Sequence, residues 1–128
     1  IMMSSNQVKI LHRAGMEIGA HTVHHPILAT MSDSSARADI ADGKQQLERI
    51  IGTPVRLFAY PNGKPGKDYG QRDIDLVRNL GFDAAVATHW GTACYGCDPF
   101  QLPRFTPWDH SKVGFFLRLQ KNILSRTS

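Results

Sequence analysis

Residues 33–51 read as one amphipathic helix, and the short apolar runs on either side of it leave few architectures open. Ser32 suits an N-cap, since its hydroxyl can accept a free N–H of the first turn. Ala36, Ile40, Gly43, Leu47, Ile50 and Ile51 recur at helical spacing. Gly52 suits the left-handed closing position, and Pro54 forbids continuation. Gly43 falls on the inward stripe. It weakens the helix by about 1 kcal/mol but allows a close neighbour. Before this helix stands Met16–Ala20, and after it Val55–Tyr60, both short, apolar-leaning and strand-like. A helix crossing between two strands of that kind implies parallel pairing.

The rest of the chain repeats the pattern. Residues 7–14 form a helix that Ser4 or Ser5 caps and Gly15 ends, with Val8, Leu11 and Ile10 inward. Residues 73–80 form another, carrying Ile74, Val77 and Leu80 on one side. Phe82–Thr88 and Phe100–Phe105 read as further strands. Residues 112–124 form a last amphipathic helix, with Val113, Phe116, Leu117, Ile123 and Leu124 inward. The expected fold class is α/β, a parallel sheet covered by helices.

Composition excludes several classes. A chain of 128 residues is one domain and can bury a core. It is 41% hydrophobic and 20% charged, ordinary for a globular chain. The net charge of +4 is scattered, without a run of like charges, so nucleic acid is not implied. No apolar stretch approaches the ~18 residues of a membrane span. The first residues lack a basic region followed by an apolar core, so they do not read as a signal peptide.

The chemistry-bearing residues gather where the predicted strands end. His21-Thr22-Val23-His24-His25 sets three imidazoles in five residues, after Met16–Ala20. His21 and His25, four apart, can converge on one cation if the backbone turns there. Pro26 places the cluster on a turn rather than within a helix. Two readings stay open, a metal-binding pair and a His-rich surface loop. Pro61-Asn62-Gly63, His89-Trp90 and Pro107-Trp108-Asp109-His110 also fall at or beyond predicted strand ends. Ligand sites of open parallel sheets collect at that edge.

These residues also carry a resemblance. Residues 15–26, with His21, Thr22 and His25, resemble the second motif of the polysaccharide deacetylases (NodB-homology, carbohydrate esterase 4 type). Leu57-Phe58-Ala59-Tyr60-Pro61-Asn62-Gly63 resembles the third motif of the exopolysaccharide subgroup. Gly81–Ala87 and Leu102–Phe105 are similar to later stretches of the same subgroup. The match runs in order across about residues 7–110.

The resemblance implies an incomplete distorted (β/α)7-type barrel with its first strands missing, so that residues 1–128 form a partial deacetylase domain. It implies metal-dependent removal of N-acetyl or O-acetyl groups from an acetylated polysaccharide. The metal, usually zinc, is held by two His and one Asp, and the His pair carries over onto His21 and His25. His24 falls at a free position, as a rim residue. The third-motif N–H that supports the oxyanion falls at Asn62, with Tyr60 and Pro61 shaping the substrate groove.

There are departures. The family's first motif carries the metal-binding and general-base aspartates on a strand well before the His motif, and this sequence begins one helix before it. Asp33, Asp68 and Asp109 sit in no equivalent motif. The chain therefore reads as the carboxyl-terminal part of such a domain, with an exposed sheet edge that invites homo-oligomerisation. The third motif has Ala59 where members carry the Arg that orients the base, and Asn62 where they carry Tyr. Arg104 either reaches the site in that Arg's place or makes a structural ion pair. His110 is either the general acid or an exposed loop residue. Trp90 either lines the sugar groove or belongs to the core.

Cys94 and Cys97 form a single CxxC, open to a half zinc site, a redox pair or a local disulfide, and are expected to have no catalytic role. A cell-envelope location is compatible with the sequence, which does not decide the compartment. Two functional classes follow: a metal-dependent glycan deacetylase, and a non-catalytic carbohydrate-binding or structural relic lacking the aspartates. A metalloprotease is a weaker third, since its motif needs Glu where Thr22 stands.

Overall fold

The structure is a computed structural model that describes residues 3–105 and 108–124. Helix α1 spans Ser5–Arg13. Ser4 caps it, its hydroxyl accepting the Gln7 N–H while the Gln7 side chain accepts the Ser4 N–H. Val8 is its buried residue, whereas Ile10 faces solvent, contrary to expectation. The long helix α2 spans Asp33–Ile51 between Ser32 and Gly52, which takes φ 77°. Strand β1 (Leu57–Ala59) follows, then α3 (Gln71–Asn79), β2 (Ala84–Val86) and α4 (Lys112–Leu124).

Strands β1 and β2 pair in parallel, with Phe58 opposite Ala85. All four expected strands are shorter than the sequence suggests, and two are reduced to a single bridging residue. Met16–Ala20 meets β1 only at Ala20, which pairs with Phe58. Within residues 100–105 only Leu102 pairs, with Val86, after a 3-10 turn over Pro99–Gln101. The parallel order Ala20, β1, β2, Leu102 nevertheless holds. These parallel positions with covering helices form an incomplete α/β barrel.

The core lies between this sheet and α2 and α3. Ala36 and Ile40 from α2, and Ile74 and Val77 from α3, meet Phe58, Phe82 and Ala85. The Tyr60 and Tyr69 rings stack at 3.8 Å, and Phe58 meets the edge of Tyr60 at 5.2 Å. Arg72 ties the segment after the His cluster to α3. Its guanidinium donates to the Leu28 and Met31 carbonyls, each at 2.6 Å, and pairs with the buried Asp73. Among the described residues no helix is long and apolar enough to cross a membrane.

Helix α4 forms where expected, but its apolar face is reversed in role. Val113, Phe116, Leu117, Ile123 and Leu124 are all more than half exposed, and the buried residue is Asn122, whose side chain donates to the Gly91 carbonyl. Periodicity locates an apolar stripe on a helix. It does not supply the surface that the stripe covers.

Candidate active site

The His turn is built by strain that its surroundings hold in place. Thr22 and His25 both have positive φ, 63° and 54°, unusual for residues bearing a β-carbon. Helix α2 presses against this turn at Gly43. One helical turn earlier, Asp39 accepts the Val23 and His24 N–H groups with one carboxylate oxygen and the His24 ring Nδ1–H with the other. Burial alone would raise the Asp39 pKa. The His24 ring and the two N–H donors outweigh it and hold the carboxyl below its usual range. The Thr22 hydroxyl donates to the His21 carbonyl and accepts the His25 N–H. Sequence reasoning missed Asp39, though an acid beside Ala36 and Ile40 on the inward stripe was the available signal.

The turn brings His21 and His25 together, with ring centroids 4.8 Å apart and planes at 75°. The His21 Nδ1 lies 2.7 Å from the Ala59 carbonyl of β1. A carbonyl only accepts, so Nδ1 carries the proton and Nε2 keeps its lone pair for a cation. His24 turns away to Asp39 and remains largely exposed, as a rim residue would.

At the end of β1, Tyr60 and Pro61 lie in the core, and the Tyr60 hydroxyl donates to the Phe100 carbonyl. Buried there, neither residue lines the groove. Burial raises the pKa of the Tyr60 phenol well above its ordinary value. Asn62 follows with φ 55°, at the centre of a three-residue turn closed by the Gly63 N–H on the Pro61 carbonyl. Among the described residues the Asn62 N–H meets no protein acceptor, and its carbonyl accepts the Thr88 hydroxyl.

Asn62 opens into a groove of about 620 Å³, lined also by Lys64, Thr88, Trp90, Arg104 and Trp108. Four of the residues singled out from sequence thus share one groove: Asn62, Trp90, Arg104 and Trp108. Trp90 is 47% exposed, not core, with Arg118 over one ring face and Phe105 at its edge. Arg104 makes no ion pair among the described residues; its Nε donates to the Ala87 carbonyl. His110 is exposed at the start of α4 and does not line the groove, and Pro107 lies outside the described residues. The sequence places Trp108 at this edge, whereas Lys64 was not selected, because a lone surface lysine carries no signal of convergence.

None of the remaining aspartates joins the His pair. Asp33 pairs with Arg72, Asp68 is buried and accepts the Lys64 backbone N–H, and Asp109 is gripped by Arg118. Among the described residues no three His, Cys, Asp or Glu side chains converge as metal ligands. Cys94 and Cys97 form a disulfide within their own loop.

With this geometry in view, comparisons with known proteins converge. The family model described as polysaccharide deacetylase matches residues 1–85. The peptidoglycan-N-acetylglucosamine deacetylase of Bacillus cereus is 39% identical over 56 residues, covering 44% of this chain and 26% of that protein. The fold matches IcaB from Ammonifex degensii with a TM-score of 0.77 at 20% identity, over 95% of this chain and 54% of that one. It matches the Streptococcus pyogenes deacetylase PplD, solved in complex with acetate, with a TM-score of 0.73 at 25% identity, over 80% and 43%. The chain spans under a third of the curated relatives it matches and about half of these solved structures.

Proposed function

Because the chain belongs to the polysaccharide deacetylase family, we propose that it contributes the histidine half of a metal-dependent site that removes acetyl groups from an acetylated glycan. The observation that carries this reading is the His21–His25 pair, with the His21 tautomer fixed by the Ala59 carbonyl.

The residues present fit two of the three protein ligands that a catalytic zinc needs. His21 would bind through Nε2, and His25 through a ring nitrogen on the facing side. When bound, a zinc ion supplies a Lewis acid for the acetyl carbonyl and lowers the pKa of water. The remaining work falls to the chain itself. The Ala59 carbonyl holds the His21 ring in one orientation. The Asn62 N–H, aimed by its positive φ and without a protein acceptor among the described residues, donates to the oxygen on which charge develops as the acetyl carbon becomes tetrahedral. The exposed rings of Trp90 and Trp108 give sugar faces a surface to stack on. Arg104, which lines the groove with Asn62 and makes no ion pair among the described residues, reaches substrate.

Zinc-dependent release of acetate from an N-acetylated oligosaccharide tests the reading. Release abolished by a chelator and by His21→Ala supports it, and release indifferent to both overturns the metal role. The described residues hold no third ligand beside the pair, which favours a second reading: a glycan-binding relative without turnover. Oligosaccharide binding without acetate release in the presence of zinc would select it.

A further inference from the structure

The groove into which Asn62 opens carries cations without counter-charges among the described residues. Lys64 and Arg104 both line it, and neither side chain pairs with a carboxylate among the described residues. No acid lines the groove itself. The acids nearby in sequence are committed elsewhere. Asp68 is buried under the Lys64 turn, where it accepts a backbone N–H, and Asp109 is held at both oxygens by Arg118. Trp90 and Trp108 line the same groove and are 47% and 76% exposed.

Indole faces bind sugar rings regardless of charge. A pair of uncompensated cations favours a ligand that brings anions. We infer that this groove selects an acidic glycan, one carrying carboxylate or phosphate groups within a sugar or so of the acetylated residue. The inference rests on the deacetylase reading and narrows its substrate class. The same charges act on the product. Each N-acetyl group removed leaves an ammonium on the sugar, which Lys64 and Arg104 repel, so the groove favours the N-acetylated chain over the deacetylated one. Nucleic acid is the less favoured anion, since the basic residues elsewhere are scattered rather than continued along a stripe.

The protein contains two tryptophans, and both line this groove, so its intrinsic fluorescence reports occupancy directly. The probes are a hyaluronan oligosaccharide, alternating N-acetylglucosamine with glucuronate, a phosphate-bearing N-acetylglucosamine oligosaccharide, a neutral chitooligosaccharide of the same length, its deacetylated form, and a single-stranded oligonucleotide. The expected result is quenching by one or both acidic glycans at about ten-fold lower concentration than by the neutral one, with the preference falling as salt is added. Whichever acidic glycan binds tighter identifies the anion. The deacetylated form should bind most weakly. Lys64→Gln with Arg104→Gln should erase the acidic preference, and Lys64→Arg with Arg104→Lys should keep it. Equal quenching by acidic and neutral glycans overturns the inference while leaving the deacetylase reading intact. A preference that survives the Gln double variant, tighter binding of the oligonucleotide, or no quenching by any glycan also overturns it.

Discussion

Gly43 of α2 lies so close to Thr22 that a β-carbon at position 43 would stand 2.9 Å from the Thr22 carbonyl carbon. The helix is therefore the mould against which the His turn is formed. Gly43→Ala should destabilise the protein by about 1–3 kcal/mol despite the better helix propensity of alanine, because backbone rather than a flexible side chain must yield. Thermal denaturation checks this. Zinc affinity should fall in the same variant, as Thr22 shifts and His21 and His25 separate.

Asp39 should matter through the backbone it binds. Asp39→Ala removes the acceptor for the Val23 and His24 N–H groups and is expected to cost about 1–3 kcal/mol. The dependence on pH has a definite sign. The folded carboxyl is held below its usual value of 3.8, so its contribution is complete above about pH 4 and is lost as pH falls through the lower folded value. Denaturant midpoints of the wild type and Asp39→Ala should differ at pH 7 and draw together as pH falls through the lowered folded value.

The three histidines of the turn should separate cleanly by substitution. His21→Ala and His25→Ala should each reduce zinc binding to background in a chelator competition. His24→Ala should retain it and lose only the contact with Asp39. Loss of zinc in His24→Ala alone would reverse the assignment.

Alkali should attack the core at the stacked tyrosines. Burial raises both phenols, Tyr69 to about 12 and Tyr60 further. The unfolded chain ionises near pH 10 and the folded one does not. The stabilisation is therefore present below pH 10 and is lost as pH rises towards the folded values. Absorbance at 295 nm should show two of the three tyrosines ionising together with loss of ellipticity, and Tyr60→Phe should make that transition shallower.

The helices were legible because their signals are local. Ser32 and Gly52 bound α2 where the sequence placed its ends, and Gly15 closes the segment after α1. The strands were less so. Val55–Tyr60 yields three paired residues, and Met16–Ala20 pairs at Ala20 alone, since pairing depends on a partner distant in sequence. The turn chemistry of His21–His25 was visible as a pattern, but Asp39, the residue that shapes it, stood sixteen positions from Val23.

The sequence by itself determined the order of helices and apolar runs, the family resemblance, and the pairing of His21 with His25. Capping, periodicity and short motifs act within a few residues and need no fold to be read. Only the tertiary structure decided which faces are covered. It buried Tyr60, exposed the apolar stripe of α4, left Arg104 without a carboxylate among the described residues and gathered Lys64, Trp90 and Trp108 into one groove with Asn62. Burial and convergence are relations between segments far apart in the chain, so they exist only once the sheet brings those segments to one edge.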